Sequence, residues 1–290
     1  MALNSPGLQT QALRTRAQST RGPRTQDSGL GPRRFGRVNW LGLATLYRRE
    51  MWRLQKDYID GLLGPALTNL LLMLIFKLAA GGQQVRAGGL PLADFVAPGL
   101  LMYAAGERAF SGACSFLIFD KLEGIIGDIV MAPLTAGERL TAFAGAAVSA
   151  GLISAVATAA VLWPFAHLAF AAPLALVYFF VVGTLLLALL GILAGLWAQR
   201  WDHYAALLTY FLIPFSYLSG MFYSTDGLPA LGRWLIAANP LYYVIDGLRF
   251  GLTGVTETDV WPGALLILVL DLLLGALLYR LFQRGWRIKS

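Results

Sequence analysis

Leu140 to Ala166 and Pro173 to Ala198 each run without a single Asp, Glu, Lys or Arg. A run of that length matches the roughly 20 apolar residues that cross a hydrocarbon core, where every backbone N–H and C=O must be paired within its own helix. Four more runs approach it. Together they predict six spans: about Tyr58 to Ala80, Phe95 to Ile118, Leu140 to Ala166, Pro173 to Ala198, His203 to Met221, and Pro262 to Phe282. With 57% hydrophobic and 13% charged residues, the chain reads as an all-α, polytopic membrane protein.

Six spans leave both termini on one side, and basic residues mark the cytoplasmic side. Arg14, Arg16, Arg21, Arg24, Arg33, Arg34, Arg37, Arg48, Arg49, Arg53 and Lys56 precede the first span, and Arg284, Arg287 and Lys289 follow the last. Both termini are expected in the cytoplasm. The other side would hold Arg86, Arg233 and Arg249 against Asp94, Asp226, Asp246, Glu257 and Asp259, with no basic excess. The net charge of +7 therefore reads as an orientation signal and as contact with membrane lipid, and no nucleic-acid partner is expected.

Three regions follow from composition. Residues 1–36 are rich in Arg, Gln, Ser and Gly with Asp27 as the one acid, and are expected to be a disordered basic tail. No apolar core follows the basic start, so no cleavable secretory signal is expected; an Arg-rich, acid-poor leader also fits an organellar transit peptide, the alternative to a bacterial plasma membrane. Residues 37–57 hold an amphipathic helix with Asn39 placed to cap it. Trp40, Leu43, Ala44, Tyr47, Met51 and Leu54 share one face, with Arg48, Arg49, Arg53 and Lys56 largely elsewhere, which predicts a helix lying in the membrane surface. Residues 58–290 form the six-span domain.

Between the second and third spans the chain reads FDKLEGIIGDIVMAPLTAGERL. Leu122, Ile125, Ile126, Ile129 and Val130 recur at helical spacing, with Lys121, Glu123 and Asp128 on the other sides. Asp120 is placed to cap this helix, with Glu123 at its third position, and Pro133 to stop it. Thr135 and Glu138 then form a capping box opening the next span. Such a stripe outside the bilayer is expected to be a docking surface.

Several chemistries are not supported. Cys114 is the only cysteine and falls in a span; His167 and His203 are the only histidines and lie apart, so no metal cluster is visible. None of Lys56, Lys77, Lys121 and Lys289 follows a glycine, so the phosphate loop G-x-x-x-x-G-K-[ST] is missing. A chain of this kind driven by ATP would take its nucleotide site from another polypeptide.

FVAPGLLMY, IVMAPLTAGERL, FLIPFSYLSGMFYSTDGLP, ANPLYYVIDGLRFG and the closing QRGWRIKS occur in the order found in ABC type-2 transporter permeases. From about Val38 onward the chain resembles that family, especially the subgroup related to bacterial drug, nodulation-factor and lipid or polysaccharide exporters. The resemblance implies six spans per chain, two permease copies (a homodimer, or a pair with a related permease), two P-loop ATPase subunits, and substrate moved outward. This chain would then bind no cofactor, with ATP and Mg on the partner. The resemblance further implies that 120–133 is a coupling helix received by the ATPase, with Asp120, Lys121, Glu123, Asp128, Met131 and Pro133 as its coupling positions. It makes Trp40 to Lys56 an interface helix, marked by Trp40, Tyr47, Arg48, Arg49, Met51 and Trp52. It makes 228–250 a pair of short helices dipping back into the outer leaflet. The residues support this last point independently, because Pro240 divides an apolar stretch into pieces too short to span.

A charge near the bilayer centre costs on the order of 3 kcal/mol even on lenient scales. Glu107, Arg108 and Asp271 are the principal cases, to be read as packing ion pairs or a solvated cavity, or as part of a substrate path. Arg108 with Asp271 is a possible pair by depth. Lys77 is expected to snorkel. Gly191 and Gly195 make a G-x-x-x-G face, and Ala144, Gly145, Ala147 and Gly151 make the third span thin, which permits close helix approach. Pro98 and Pro214 could kink their spans. A secondary transporter is the main alternative, for which no internal inverted repeat is visible, and a membrane-bound transferase comes third.

Overall fold

A computed structural model describes residues 38–56, 59–79, 86–225 and 228–285. The basic tail over 1–36, Tyr58, Ala80, Asp226 and the closing WRIKS lie outside the described residues, as does the side chain of Arg86. In chain order the elements are α1 (Trp40–Lys56), a π-helical turn at Ile59–Leu63, and α2 (Gly64–Ala79). A tight ribbon of β1 (Arg86–Ala87) and β2 (Leu90–Pro91) leads into α3 (Leu92–Leu122). Next come α4 (Ile126–Met131), α5 (Ala136–Leu162), α6 (Pro173–Trp197) and α7 (Trp201–Leu207), then a second π-helical turn at Leu208–Leu212 running into α8 (Ile213–Tyr217). The last three are α9 (Ala230–Ala237), α10 (Pro240–Thr253) and α11 (Val260–Arg284).

Among the described residues, four helices are long and apolar enough to cross a membrane: the run Gly61–Leu78, α5, α6 and α11. Six were expected, and the two remaining runs differ for physical reasons. The second lies within α3, which at 31 residues is longer than a bilayer requires but carries Glu107 and Arg108 in mid-course. The fifth is divided into α7, a π-turn and α8, with Pro214 at the second position of α8, just after the π-turn. Pro98 sits inside α3, within two turns of its start.

α3 is the axis of the fold, packed most extensively against α6 and α5. Phe95, Leu100, Met102, Phe110, Phe116, Leu117 and Ile118 of α3 are all 2% exposed or less. Close approach is set by missing side chains. A Cβ on Gly191 would stand 2.4 Å from the carbonyl oxygen of Phe110, one on Gly195 2.9 Å from that of Cys114, and one on Gly151 2.5 Å from that of Ala105. The G-x-x-x-G face on α6 and Gly151 on α5 thus lie directly on the α3 backbone, gaining dispersion contacts that lipid tails cannot supply, whereas Gly145 on α5 faces the Tyr47 ring of α1.

α9 and α10 form the expected pair of short helices. Asn239 separates them: its Oδ1 accepts from Leu241 N at 2.9 Å and its Nδ2 donates to Phe215 O at 2.6 Å, which caps α10 and ties it to α8. α10 is mostly buried and packs against α6, α11 and α3.

A methyl group added at Gly191 meets backbone, which cannot step aside as a side chain can. Gly191→Ala should destabilise the protein by about 1–3 kcal/mol. Gly275 on α11 has nothing within 4 Å of a Cβ position, so Gly275→Ala should be neutral or gain up to about 1 kcal/mol from helix propensity. Thermal unfolding of both variants in one detergent checks this; equal midpoints would contradict the packing.

Candidate functional site

The end of the bundle where α3 stops and α5 begins is built from three tied elements. α3 runs through Asp120 without a break, so Asp120 does not cap a new helix as the sequence suggested. The break comes at Gly124, whose φ of +71° is the left-handed conformation that glycine adopts without penalty. α4 then occupies only Ile126–Met131, shorter than the expected 120–133, and ends before Pro133. Ile129 is buried, and Ile126 and Val130 pack on the core, while Leu122 remains 51% exposed.

Glu138 joins two helix starts. One of its oxygens accepts from Thr135 N at 2.7 Å while Thr135 Oγ1 accepts from Glu138 N at 3.2 Å, the capping box read from the sequence. Its other oxygen accepts from Asn39 N at 2.6 Å. Asn39 in turn caps α1, with Oδ1 accepting from Gly42 N at 3.0 Å, and its Nδ2 donates to Pro133 O at 3.1 Å. Arg139 Nη2 donates to Leu134 O at 2.7 Å and Val130 O at 3.2 Å. The backbone around α4 is thereby held by side chains of α1 and α5.

A second tie is ionic. Asp120 and Glu50, both fully buried, face Arg49 and Arg53. Arg49 reaches Asp120 at 2.8 Å and also pairs with Glu50; Arg53 reaches Asp120 at 2.8 Å and Glu50 at 3.2 Å, and lies 4.6 Å over the ring of Phe119. Burial pushes the Glu50 carboxyl above its ordinary pKa, against the pull of Arg49 and Arg53. Arg49 is pulled down by burial, yet the carboxylates of Glu50 and Asp120 leave it above its ordinary value. Two cations balance two anions, so the cluster is neutral and each charge has hydrogen-bonded partners, the condition under which buried ions are tolerated. Lys121 also turns inward, donating to Gly195 O, Leu196 O and Ala198 O at 2.7 to 3.0 Å at the end of α6, which favours a cation.

Of the coupling positions, Glu123, Asp128, Met131 and Pro133 are exposed, Met131 at 79%. Asp120 and Lys121 are structural. On α1, Leu43, Leu46, Tyr47, Met51 and Leu54 face the bundle, and Tyr47 OH bonds Ser149 Oγ at 2.9 Å. Trp40, Arg48 and Trp52 face outward. The helix does not rest on the surface alone: its start meets Glu138, its middle Ser149, and its end Gly112 and Arg108, so it climbs along α5 and α3.

Glu107 and Arg108 line a 310 Å³ cleft with Ser111, Ser115, Trp201 and Tyr204. Arg108 Nη2 donates to Leu54 O at 3.1 Å, closing the last turn of α1, and its guanidinium rests on Gly61. It does not pair with Asp271. Arg108 is taken up by the α1–α2 junction, whereas Asp271 is buried on α11 with neither oxygen bonded to a described residue.

Sequence reading missed Glu50, though it is the one acid within a basic helix. It also missed the far-side cluster. There Asp246 accepts from Thr258 Oγ1 at 2.6 Å, Thr256 Oγ1 at 2.7 Å, Thr258 N at 2.9 Å and Arg249 Nη1 at 3.2 Å. Arg249, 1% exposed, lies 3.7 Å over Phe95 and donates to Gly220 O. The Asp-x-x-Arg spacing was the available signal. Cys114 is buried.

The family model described as ABC-2 type transporter matches residues 42–253. The inner membrane transport permease YadH of Escherichia coli strain K12 is 26% identical over 251 residues, covering 87% of this chain and 98% of its own. The same figures hold for YadH of Shigella flexneri. Nodulation protein J of Rhizobium leguminosarum bv. trifolii is 28% identical over 250 residues, covering 81% of this chain and 89% of its own.

Asp120→Asn would leave two guanidiniums against one buried carboxylate. The expected loss is on the order of 2 to 3 kcal/mol, since both guanidiniums keep some solvent. Asp128→Asn, at an exposed position, should shift stability by less than about 0.5 kcal/mol. Comparing the two melting curves checks the assignment; a silent Asp120→Asn would remove it.

Proposed function

This chain belongs to the ABC-2 type transporter family, and on that premise we propose that it is the permease subunit of an ATP-driven exporter. It carries an amphipathic or lipid-linked substrate out of the cytoplasm or the inner leaflet. It works as a homodimer, or paired with a related permease, in the bacterial inner membrane with both termini cytoplasmic. ATP and Mg bind to a separate P-loop ATPase chain. The Escherichia coli relative, named an inner membrane transport permease, supports the placement.

The observation that carries this reading is α4. Its apolar face is seated on the core while Glu123, Asp128 and Met131 stand exposed around it. The surrounding backbone is tied through Asn39, Glu138 and Arg139 to two longer helices. A push on such an element is delivered to α1, α3 and α5 together, because packed side chains do not yield independently. α9 and α10 serve as the outer re-entrant pair, pinned by Asp246 and Arg249. Glu107, Arg108 and Asp271 are candidates for the polar lining of the path.

Reversal of both exposed acids, Glu123→Lys with Asp128→Lys, is expected to leave membrane insertion intact. It should weaken copurification of the ATPase or uncouple hydrolysis from transport. A desolvated interfacial charge is worth about 2–5 kcal/mol, which corresponds to a loss of roughly thirtyfold or more in affinity. A doubly reversed protein that keeps its ATPase and exports at the parental rate would show that α4 is not the coupling element.

A further inference from the structure

Beside α4 lies a second cavity. Its volume is about 410 Å³, and Val130, Thr135, Arg139, Tyr279, Gln283 and Arg284 are among its lining residues. It sits where two bilayer-length helices end on the same side of the bundle: α5 begins at Ala136, α11 ends at Arg284, and the Tyr279 ring packs beside Gly137. The ends of spanning helices stand at the level of lipid headgroups, where tyrosine also concentrates.

The chemistry of the lining is one-sided. It presents two guanidiniums, two hydroxyls and a carboxamide, and no carboxylate. Glu138, next to Arg139 in sequence, has its oxygens committed to Thr135 N and Asn39 N. Arg284 makes no hydrogen bond or ion pair with any described residue. Arg139 spends one nitrogen on the carbonyls of Val130 and Leu134, while its buried Nε has no acceptor among the described residues. A buried N–H without an acceptor is costly, which favours a ligand that brings oxygen. The start of α5 adds its positive pole. The opposing negative pole of α11 is partly taken up, because Gly285 N–H bonds the carbonyls of Leu281 and Phe282.

We propose that this cavity is a binding site for a phosphate-bearing anion, and that the phosphate belongs to an anionic phospholipid of the cytoplasmic leaflet. Arg139 and Arg284 take the phosphate oxygens, as guanidiniums do in paired geometry. Thr135, Gln283 and Tyr279 donate around the rest of the headgroup. Val130 and Phe282 offer the apolar edge where the glycerol and the first methylenes would lie. The assignment stands independently of the ATPase partner. Because Val130 belongs to α4, a bound lipid would touch the element proposed to receive force.

The test uses the full chain, purified in detergent, delipidated and titrated with short-chain phosphatidylglycerol or phosphatidylcholine, with bound lipid counted by native mass spectrometry. Phosphatidylglycerol should be preferred over phosphatidylcholine. Arg284→Gln should weaken its binding about tenfold, the loss of one charge-assisted contact. Arg233→Gln, a change of an exposed arginine on α9, should not. Arg139→Gln should weaken binding as well, but Arg139 also supports the backbone near α4, so Arg284, whose side chain bonds no described residue, is the deciding position. A further arm adds millimolar inorganic phosphate. Displacement of the lipid by phosphate, lost together with lipid binding in Arg284→Gln, would keep the site and assign it to free phosphate. Equal retention of the two lipids by the parent, or parental phosphatidylglycerol binding by Arg284→Gln, would overturn the proposal.

Discussion

A helix that carries Glu107, Arg108, Asp120 and Lys121 cannot be left facing lipid, and the rest of this structure is arranged to bury α3. Both long neighbours meet it through glycine: Gly191 and Gly195 on α6 and Gly151 on α5 bring backbone against backbone. The charged residues are then answered one at a time. Arg108 is given the carbonyl of Leu54, Asp120 two guanidiniums of α1, and Lys121 three carbonyls at the end of α6. Van der Waals packing supplies the adhesion, and the polar contacts select one register, since a slipped helix would strand a charge among apolar side chains.

The same contacts join α1, α3, α4 and the start of α5 into one piece. α1 is bound to α3 by ions, to α5 by the Tyr47 to Ser149 hydrogen bond and the Glu138 cap, and to the loop after α4 through Asn39. α4 itself has only six residues and would not be stable as an isolated helix. It owes its form to the surfaces that hold it, so its position reports theirs.

Much of this could be read from residues alone. The capping box at Thr135, the Asn39 cap, the small-residue faces and the break between α9 and α10 each follow from short-range rules, in which the residues concerned are a few positions apart or one helix turn apart. What escaped depended on long-range partners. Asp120 looked like a cap because Asp before an amphipathic run usually is one; the arginines that instead claim it are 71 and 67 positions away. The pairing of Arg108 with Asp271 was suggested by depth alone, and depth does not say which way a helix is rotated. Of the six expected spans, four are matched by length and apolarity among the described residues; α3 is shielded by protein, and a helix so placed need not be as apolar as one facing lipid.

Glu138 accepts from two backbone N–H groups, that of Thr135 at 3 positions' distance in the chain and that of Asn39 at 99. During synthesis α1 emerges long before α5, and until Glu138 arrives the Asn39 N–H must be satisfied by water. The start of α1 is therefore sealed only after α3 and α4 have been laid down and α5 has begun. Closing that cap requires the start of α5 to lie at the same end of the bundle as the start of α1, with α2, α3 and α4 between them in the chain. A single carboxylate thus fixes the first helix of the fold to one that begins almost a hundred residues later.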